Sequence, residues 1–232
     1  MTNITTTNLP GGLTNAAIPS ALQSFGADDP TVFHTYFNDF DTYEAGDWTV
    51  TATGSPTNGV IAGNGGILSL INTASNADLN SLQLKGASFT ITAGSQFWMK
   101  IRFNTSNATN AALIIGLIQT TTTPLTVTDG IYFSKLAAST TLTAKVAKSS
   151  AITSVNVGTL ANTTYVNVGF HYDGSSEISV WLNNVKIGSL ATTNLPTANL
   201  NVTIAESNGT AAAITTNIDY FFASQERPST LL

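Results

Sequence analysis

The chain has 232 residues, a net charge of −5, no cysteine and only 9% charged residues, against roughly 25% in an ordinary globular domain. The lack of cysteine excludes disulfides, thiolate metal sites and cysteine nucleophiles, and the few scattered lysines and arginines argue against a nucleic-acid partner. Hydrophobic residues make up 42% of the chain, so a folded core is expected. We see neither a secretory signal nor a membrane span, which predicts a protein that needs no Sec export and no membrane.

Residues 1–30 differ from the rest because they are rich in Pro and Gly and show no sustained strand pattern. We predict an extended N-terminal arm that docks on a neighbouring protein molecule. A terminus without a docking partner is the alternative. The apolar residues that would anchor such an arm are Leu9, Leu13, Ile18, Leu22 and Phe25.

Residues 31–232 have a uniform texture of short alternating segments separated by Gly, Asn, Asp or Pro, which predicts a single all-β sandwich domain. The predicted strands are 32–37, 48–53, 67–71, 79–84, 88–92, 97–103, 111–118, 130–135, 140–147, 152–157, 201–205 and 214–222, together with a meander over 165–190.

The meander is the clearest structural signal in the chain. Its first limb alternates apolar and polar residues from Val166 to Tyr172, as a half-buried strand does. Asp173-Gly174 and Asn183-Asn184 then supply two turns, since Gly and Asn tolerate positive φ. We therefore expect three consecutive antiparallel strands.

Acidic residues precede Trp48 and include the pair Asp39 and Asp41, which would share one side of the chain if it were extended there. With Glu44 and Asp47 these carboxylates are weak candidates for a Ca²⁺ site, because Ca²⁺ prefers oxygen ligands. A solvated acidic turn that caps local backbone amides is the favoured interpretation. No cofactor is predicted.

Catalytic motifs are missing from the sequence. Glycoside hydrolysis needs two carboxylates at a defined separation, and no run of alternating carboxylates occurs along a predicted strand. The only two histidines, His34 and His171, lie on predicted strands without a nucleophile-elbow motif and are expected to face outward. The glycine run 63–66 lacks the Gly-Lys-Ser/Thr ending of a phosphate loop and predicts a hairpin turn.

The aromatic and basic residues of the strands favour structural roles. Trp48, Trp98 and Trp181 are expected to pack in the core or at an interface rather than to stack on sugars. Lys100 and Arg102 share one face of their strand, which we expect to be an outer face or a subunit contact.

The order of these motifs resembles the concanavalin-like (laminin-G-like) jelly-roll domains, and more narrowly the head decoration, or cement, proteins and other virion structural proteins of tailed bacteriophages. The residues that carry the resemblance are FNDFD (37–41), Trp48, GNGGILSL (63–70), FWMKIRF (97–103), DGIYFSK (129–135), YDG and ISVWLNN (172–184) and IDYFFASQER (218–227). The resemblance implies a two-sheet antiparallel sandwich whose first and last strands are adjacent.

The favoured function is a non-enzymatic capsid decoration protein on the exterior of a virion, made in the host cytoplasm. Its implied partners are the major capsid protein and further copies of itself, a trimer by analogy. The alternative is a carbohydrate-binding, lectin-like module or an adhesin or tail-associated domain that takes a glycan. A glycosidase is the weakest reading, because the carboxylate pair is missing.

Overall fold

A computed structural model describes residues 31–228, which form an all-β structure. Two single 3₁₀ turns, at Ala45–Asp47 and Thr192–Asn194, are the helical segments of the described chain, and neither has the length of a bilayer span. The strands of the described residues are β1 (Phe33–Asn38), β2 (Trp48–Thr53), β3 (Thr57–Ile61), β4 (Ile67–Ile71), β5 (Leu79–Leu84), β6 (Phe97–Thr105), β7 (Ala111–Ile118), β8 (Gly130–Lys135), β9 (Thr141–Lys148), β10 (Ala151–Thr159), β11 (Val166–Tyr172), β12 (Glu177–Leu182), β13 (Val185–Ala191), β14 (Asn201–Asn208) and β15 (Thr215–Glu226).

The strands form two antiparallel sheets that pack face to face as a sandwich. The seven-stranded sheet has the order β10-β9-β8-β7-β14-β5-β2, and the eight-stranded sheet has the order β13-β12-β11-β6-β15-β4-β3 with β1 also paired to β15. The first and last described strands are therefore adjacent, as the resemblance implied. The two-sheet antiparallel sandwich predicted from the sequence is confirmed.

One face of each strand lies in a continuous hydrophobic core between the sheets, because side chains alternate across a strand. Leu82, Ile204 and Ile115 form part of one inward row. The rings of Phe133 and Phe170, one from each sheet, stack with centroids 4.4 Å apart. Full burial of each such side chain stabilises the fold by roughly 1.5–3 kcal/mol.

Most predicted strands are confirmed to within a few residues, with two exceptions. The segment 88–92 is not a strand, because only Phe89 pairs, as a single bridge to Leu200. Conversely, β3 was not predicted, since its sequence TNGVI follows Gly and Pro and reads as a loop. The glycine run 63–66 does join β3 to β4 as an antiparallel hairpin.

The predicted arm, 1–30, lies outside the described residues, so its docking stays a prediction. The same holds for its apolar anchors Leu9, Leu13, Ile18, Leu22 and Phe25.

A polar row replaces the hydrophobic core at one end of the sandwich. The fully buried Glu206 faces inward beside Asn80, with which it is paired in register. The Oγ1 of Thr216, from the opposite sheet, donates a hydrogen bond to Glu206 Oε2, while Oε1 has no hydrogen-bond partner. Asn58 and Asn80 exchange amide hydrogen bonds at 3.2 and 2.9 Å. Burial raises the pKa of Glu206 to about 8, opposed by the hydrogen bond from Thr216.

Glu206 should therefore make stability depend on pH. Between its ordinary pKa of 4.5 and a folded value of about 8, the folded protein keeps a proton that the unfolded chain releases, so the free energy of unfolding falls as pH rises. We expect Glu206→Gln to abolish most of this fall, which is on the order of a few kcal/mol. Urea unfolding between pH 5 and 8 measures it.

Asp41→Asn is the matched control, because Asp41 is exposed. The upper limit of pH 8 matters, since burial also lowers the pKa of Lys135 to about 8, which adds the opposite trend above that pH. Parallel pH profiles for Glu206→Gln and the unmodified protein would contradict the assignment.

Candidate functional site

A cleft of about 370 Å³ lies at one end of the sandwich. Four separate parts of the chain meet there: the segment before β6, the end of β9, the β11–β12 turn and the segment after β13. The described residues that line the cleft are Thr90, Ile91, Thr92, Ala93, Lys148, Tyr172, Ser175, Thr192, Thr193, Leu195 and Thr197. Its volume is in the usual range for small-molecule sites.

Asp173 organises the β11–β12 turn at the edge of the cleft. Its Oδ1 accepts hydrogen bonds from the backbone N–H groups of Ser175, Ser176 and Glu177, at 2.8, 2.9 and 3.1 Å. Gly174 has a φ of +80°, a conformation that glycine adopts without steric cost. Its carbonyl accepts a 2.6 Å hydrogen bond from the N–H of Gly94, so the turn is tied to the segment before β6.

The other walls are held by hydrogen bonds to both sheets. The Thr90 N–H donates to Gln225 Oε1 and the Thr90 hydroxyl donates to Asn199 Oδ1, both at 2.9 Å. Asn194 Nδ2 donates to Thr153 Oγ1 at 2.9 Å, which ties the second 3₁₀ turn to β10. The cleft is thus preformed by the fold.

Tyr172 lies at the base of the cleft and is almost fully buried, with 1% of its surface exposed. Burial raises the pKa of its phenol, and the nearby Asp173 carboxylate raises it further. The phenol therefore stays protonated at neutral pH. The aromatic ring of Tyr172 forms the floor of the cleft.

The lining of the cleft is rich in hydroxyl groups and poor in charge. Six of the described lining residues are Thr or Ser, Lys148 alone carries a charge, and none is a carboxylate. Such a set can exchange hydrogen bonds with a polyhydroxylated ligand, but it offers no carboxylate as an acid, a base or a nucleophile.

Carboxylates are also absent from the outward face of the seven-stranded sheet. Glu206 is the one Asp or Glu on its described strands, and it faces the interior. On the eight-stranded sheet, Asp219 pairs with Arg102 and Glu177 pairs with Lys186. Glu226 accepts two hydrogen bonds from Gln96. A free pair of carboxylates, as glycoside hydrolysis needs, is not formed by these residues.

The structure does not bring Asp39 and Asp41 onto one strand face. The strand β1 ends at Asn38, and Phe40 turns the chain with a φ of +52° and buries its ring. Among residues 31–228 no three His, Asp or Glu side chains are grouped so that they could hold a metal ion. Glu44 does cap a local amide, because its Oε1 accepts a hydrogen bond from the Gly46 N–H.

The two histidines differ in position. His171 faces outward as predicted and stacks on Trp98, with ring centroids 5.5 Å apart. The prediction for His34 is wrong, because its ring packs at 4.8 Å against the core residue Phe89. Burial lowers the pKa of both imidazoles, which disfavours their charged forms.

The three tryptophans differ in position, and only Trp48 has the core role predicted for it, while an interface role for the other two stays a prediction. Trp48 belongs to the core, and Trp98 is buried against His171 on the outer face of the eight-stranded sheet. Trp181 is half-buried on the same outer face. Lys100 and Arg102 also lie on that face, as expected. The Arg102 guanidinium lies 4.1 Å above the ring centre of Tyr165.

Comparison with solved structures shows the class of fold. An endo-1,3-beta-glucanase from Streptomyces sioyaensis aligns over 88% of this chain and all of its own, with 11% identity and a TM-score of 0.61. The Emp47p carbohydrate recognition domain aligns over 85% of this chain and 98% of its own, with 13% identity and a TM-score of 0.59. The protein of unknown function SO2946 from Shewanella oneidensis MR-1 aligns over 88% and 91%, with 16% identity and a TM-score of 0.62.

These likenesses show that the chain has the concanavalin-like jelly-roll fold. No protein-family model matches the sequence, and no curated protein sequence matches it significantly. The structural neighbours include both an enzyme and a binding domain. The fold by itself therefore does not decide the activity.

Removal of the Asp173 carboxylate should loosen the turn beside the cleft. We expect Asp173→Ala to lower the free energy of unfolding by about 1–2 kcal/mol, because three backbone N–H groups lose their acceptor. Asp173→Asn is the matched control, since its amide oxygen can accept the same bonds. Chemical denaturation measures both variants, and an equal loss for Asn and Ala would show that the charge, rather than the acceptor geometry, holds the turn.

Proposed function

We propose that the protein is a non-enzymatic carbohydrate-binding domain and that the end cleft is its glycan site. The observation that carries the proposal is the lining of the cleft: six hydroxyl side chains around a buried tyrosine, without a carboxylate. Sugars present hydroxyl groups that both donate and accept hydrogen bonds, and Thr and Ser match that chemistry.

Two further points support this proposal over a catalytic one. The Emp47p neighbour is a carbohydrate recognition domain, so the same sandwich is used elsewhere for sugar binding. The glucanase neighbour shares the fold, but the carboxylates on the described strands of this chain are either buried, as in Glu206, or already engaged, as in Glu177 and Asp219.

Filling the cleft should weaken glycan binding without unfolding the domain. We expect Thr193→Trp, at an exposed position of the cleft lining, to weaken binding of glycans by at least about tenfold. The measurement is a glycan array, with and without Ca²⁺, followed by calorimetry on each glycan that binds. Ile152→Trp, on the exposed part of β10, is the control. An array without a single hit would overturn the proposal.

Capsid decoration is the second candidate, and one feature of the sandwich favours it. Along one long side, the edge strands β2 and β3 are unpaired on their outer sides among the described residues. Val50 and Val60 face inward with Leu82 and Leu68, yet remain 47% and 38% exposed. On the opposite side, Val155 of β10 packs near Gly188 of β13 and closes the edge.

This open edge lacks the usual protection against pairing. Neither β2 nor β3 contains a charged residue, although natural edge strands commonly carry lysine or other charges to prevent association. A strand of a major capsid protein, or of another copy of this chain, could therefore extend either sheet. The proposed location under this reading is the exterior of a virion.

A charge on the open edge should weaken attachment to a shell. We expect Val60→Lys to lower the occupancy of purified capsid shells by at least about tenfold, because a lysine opposes both strand pairing and apolar contact. Ile152→Lys, which places the same charge on the opposite long side, is the matched control. Quantitative gel analysis of sedimented shells measures occupancy, and unchanged occupancy for Val60→Lys would rule out this edge as the contact.

A further inference from the structure

The single lysine that lines the cleft points to a more specific class of glycan ligand. This inference rests on the proposed glycan-binding function. Lys148 ends β9 and is the one charged side chain among the described lining residues. The two ion pairs of the described chain are Arg102–Asp219 and Lys186–Glu177. Lys148 is therefore a cation without an ionic partner in the described part of the chain.

The carboxylates closest to the cleft in the fold make their hydrogen bonds or ion pairs with groups other than Lys148. Asp173 accepts three backbone N–H bonds within its own turn, and Glu177 pairs with Lys186. Asp129 accepts the N–H of Ser149, the residue after Lys148, at 3.2 Å. The Lys148 ammonium thus stays available to a ligand, in a chain whose net charge is −5.

We propose that the cleft selects a sugar that carries a carboxylate, with Lys148 as the group that binds the carboxylate. The hydroxyls of Thr192, Thr193 and Ser175 then take the ring hydroxyls of the same sugar. A hydrogen bond between an ammonium and a carboxylate is roughly twice as strong as a neutral one, whereas a neutral sugar leaves the ammonium without a counter-charge. Lys148 is thus the specificity-determining residue of the cleft.

The experiment compares two probes of equal length by calorimetry: the trisaccharide of galacturonic acid and the neutral trisaccharide of galactose. We expect the acidic probe to bind at least about tenfold more tightly at low salt, with an advantage that shrinks as ionic strength rises. Lys148→Gln should remove this preference, and Lys148→Arg should retain most of it.

Lys145→Gln is the control, because Lys145 lies outside the cleft lining and faces Ser134 on the outer side of the seven-stranded sheet. Circular dichroism and thermal unfolding establish that each variant is folded. Equal affinity for the two probes, or a preference that survives Lys148→Gln, would overturn the inference and leave the glycan function standing. Failure of both probes, together with an empty glycan array, would overturn both proposals.

Discussion

The pairing of the last described strand, β15, is the constraint on which the rest of the structure depends. Its twelve residues pair with β6 along one side and with β4 and then β1 along the other. One strand thus joins segments that are far apart in the sequence, and the hydrophobic core can close only when it is in place. Within β15, an irregularity between Ile218 and Tyr220 leaves Asp219 unpaired in the ladder, and its carboxylate pairs with Arg102 on the outer face.

The same strand connects the fold to the cleft. Gln225, near the end of β15, accepts the backbone N–H of Thr90, and this bond fixes the segment that forms one wall. The wall has almost no regular secondary structure of its own, since Phe89 contributes only a single bridge. This wall of the cleft is therefore a loop that the sheet holds in place. Binding sites are commonly formed by loops on a rigid scaffold.

The sequence predicted the fold more fully than the site, and particular residues explain why. Alternation and turn chemistry are local, so β2, β4, β5, β7 and β8 were predicted with their observed bounds. The turn at Asn183-Asn184 has positive φ at both residues, as its composition predicts. The edge strand β3 was missed because a strand with one neighbour needs few apolar residues, and its Gly and Asn resemble those of a loop.

The cleft could not be predicted, because its members are far apart and chemically ordinary. Thr92, Lys148, Tyr172 and Thr193 come from four segments that only the closed sandwich brings together. A threonine does not mark a binding site in a sequence that contains many threonines. A pair of catalytic carboxylates would have been easy to recognise in a sequence with so few acidic residues. The prediction for His34 failed for a related reason: strand alternation gives two faces, but only the packing of Phe89 decides which face lies inward.

Both the buried polar row and the surface cleft of this protein contain very few charged groups. At one end of β6, near Thr105, the sheets enclose a polar row in which Glu206 has no cation partner, and burial keeps its carboxyl protonated at neutral pH. At the other end, near Phe97, the cleft presents hydroxyls and a single lysine. Where charges are few, a single ammonium without an ion-pair partner, such as that of Lys148, can decide which ligand is preferred. A shared jelly roll can thus serve a glucanase or a binding domain, and the placement of a few charged groups decides between them.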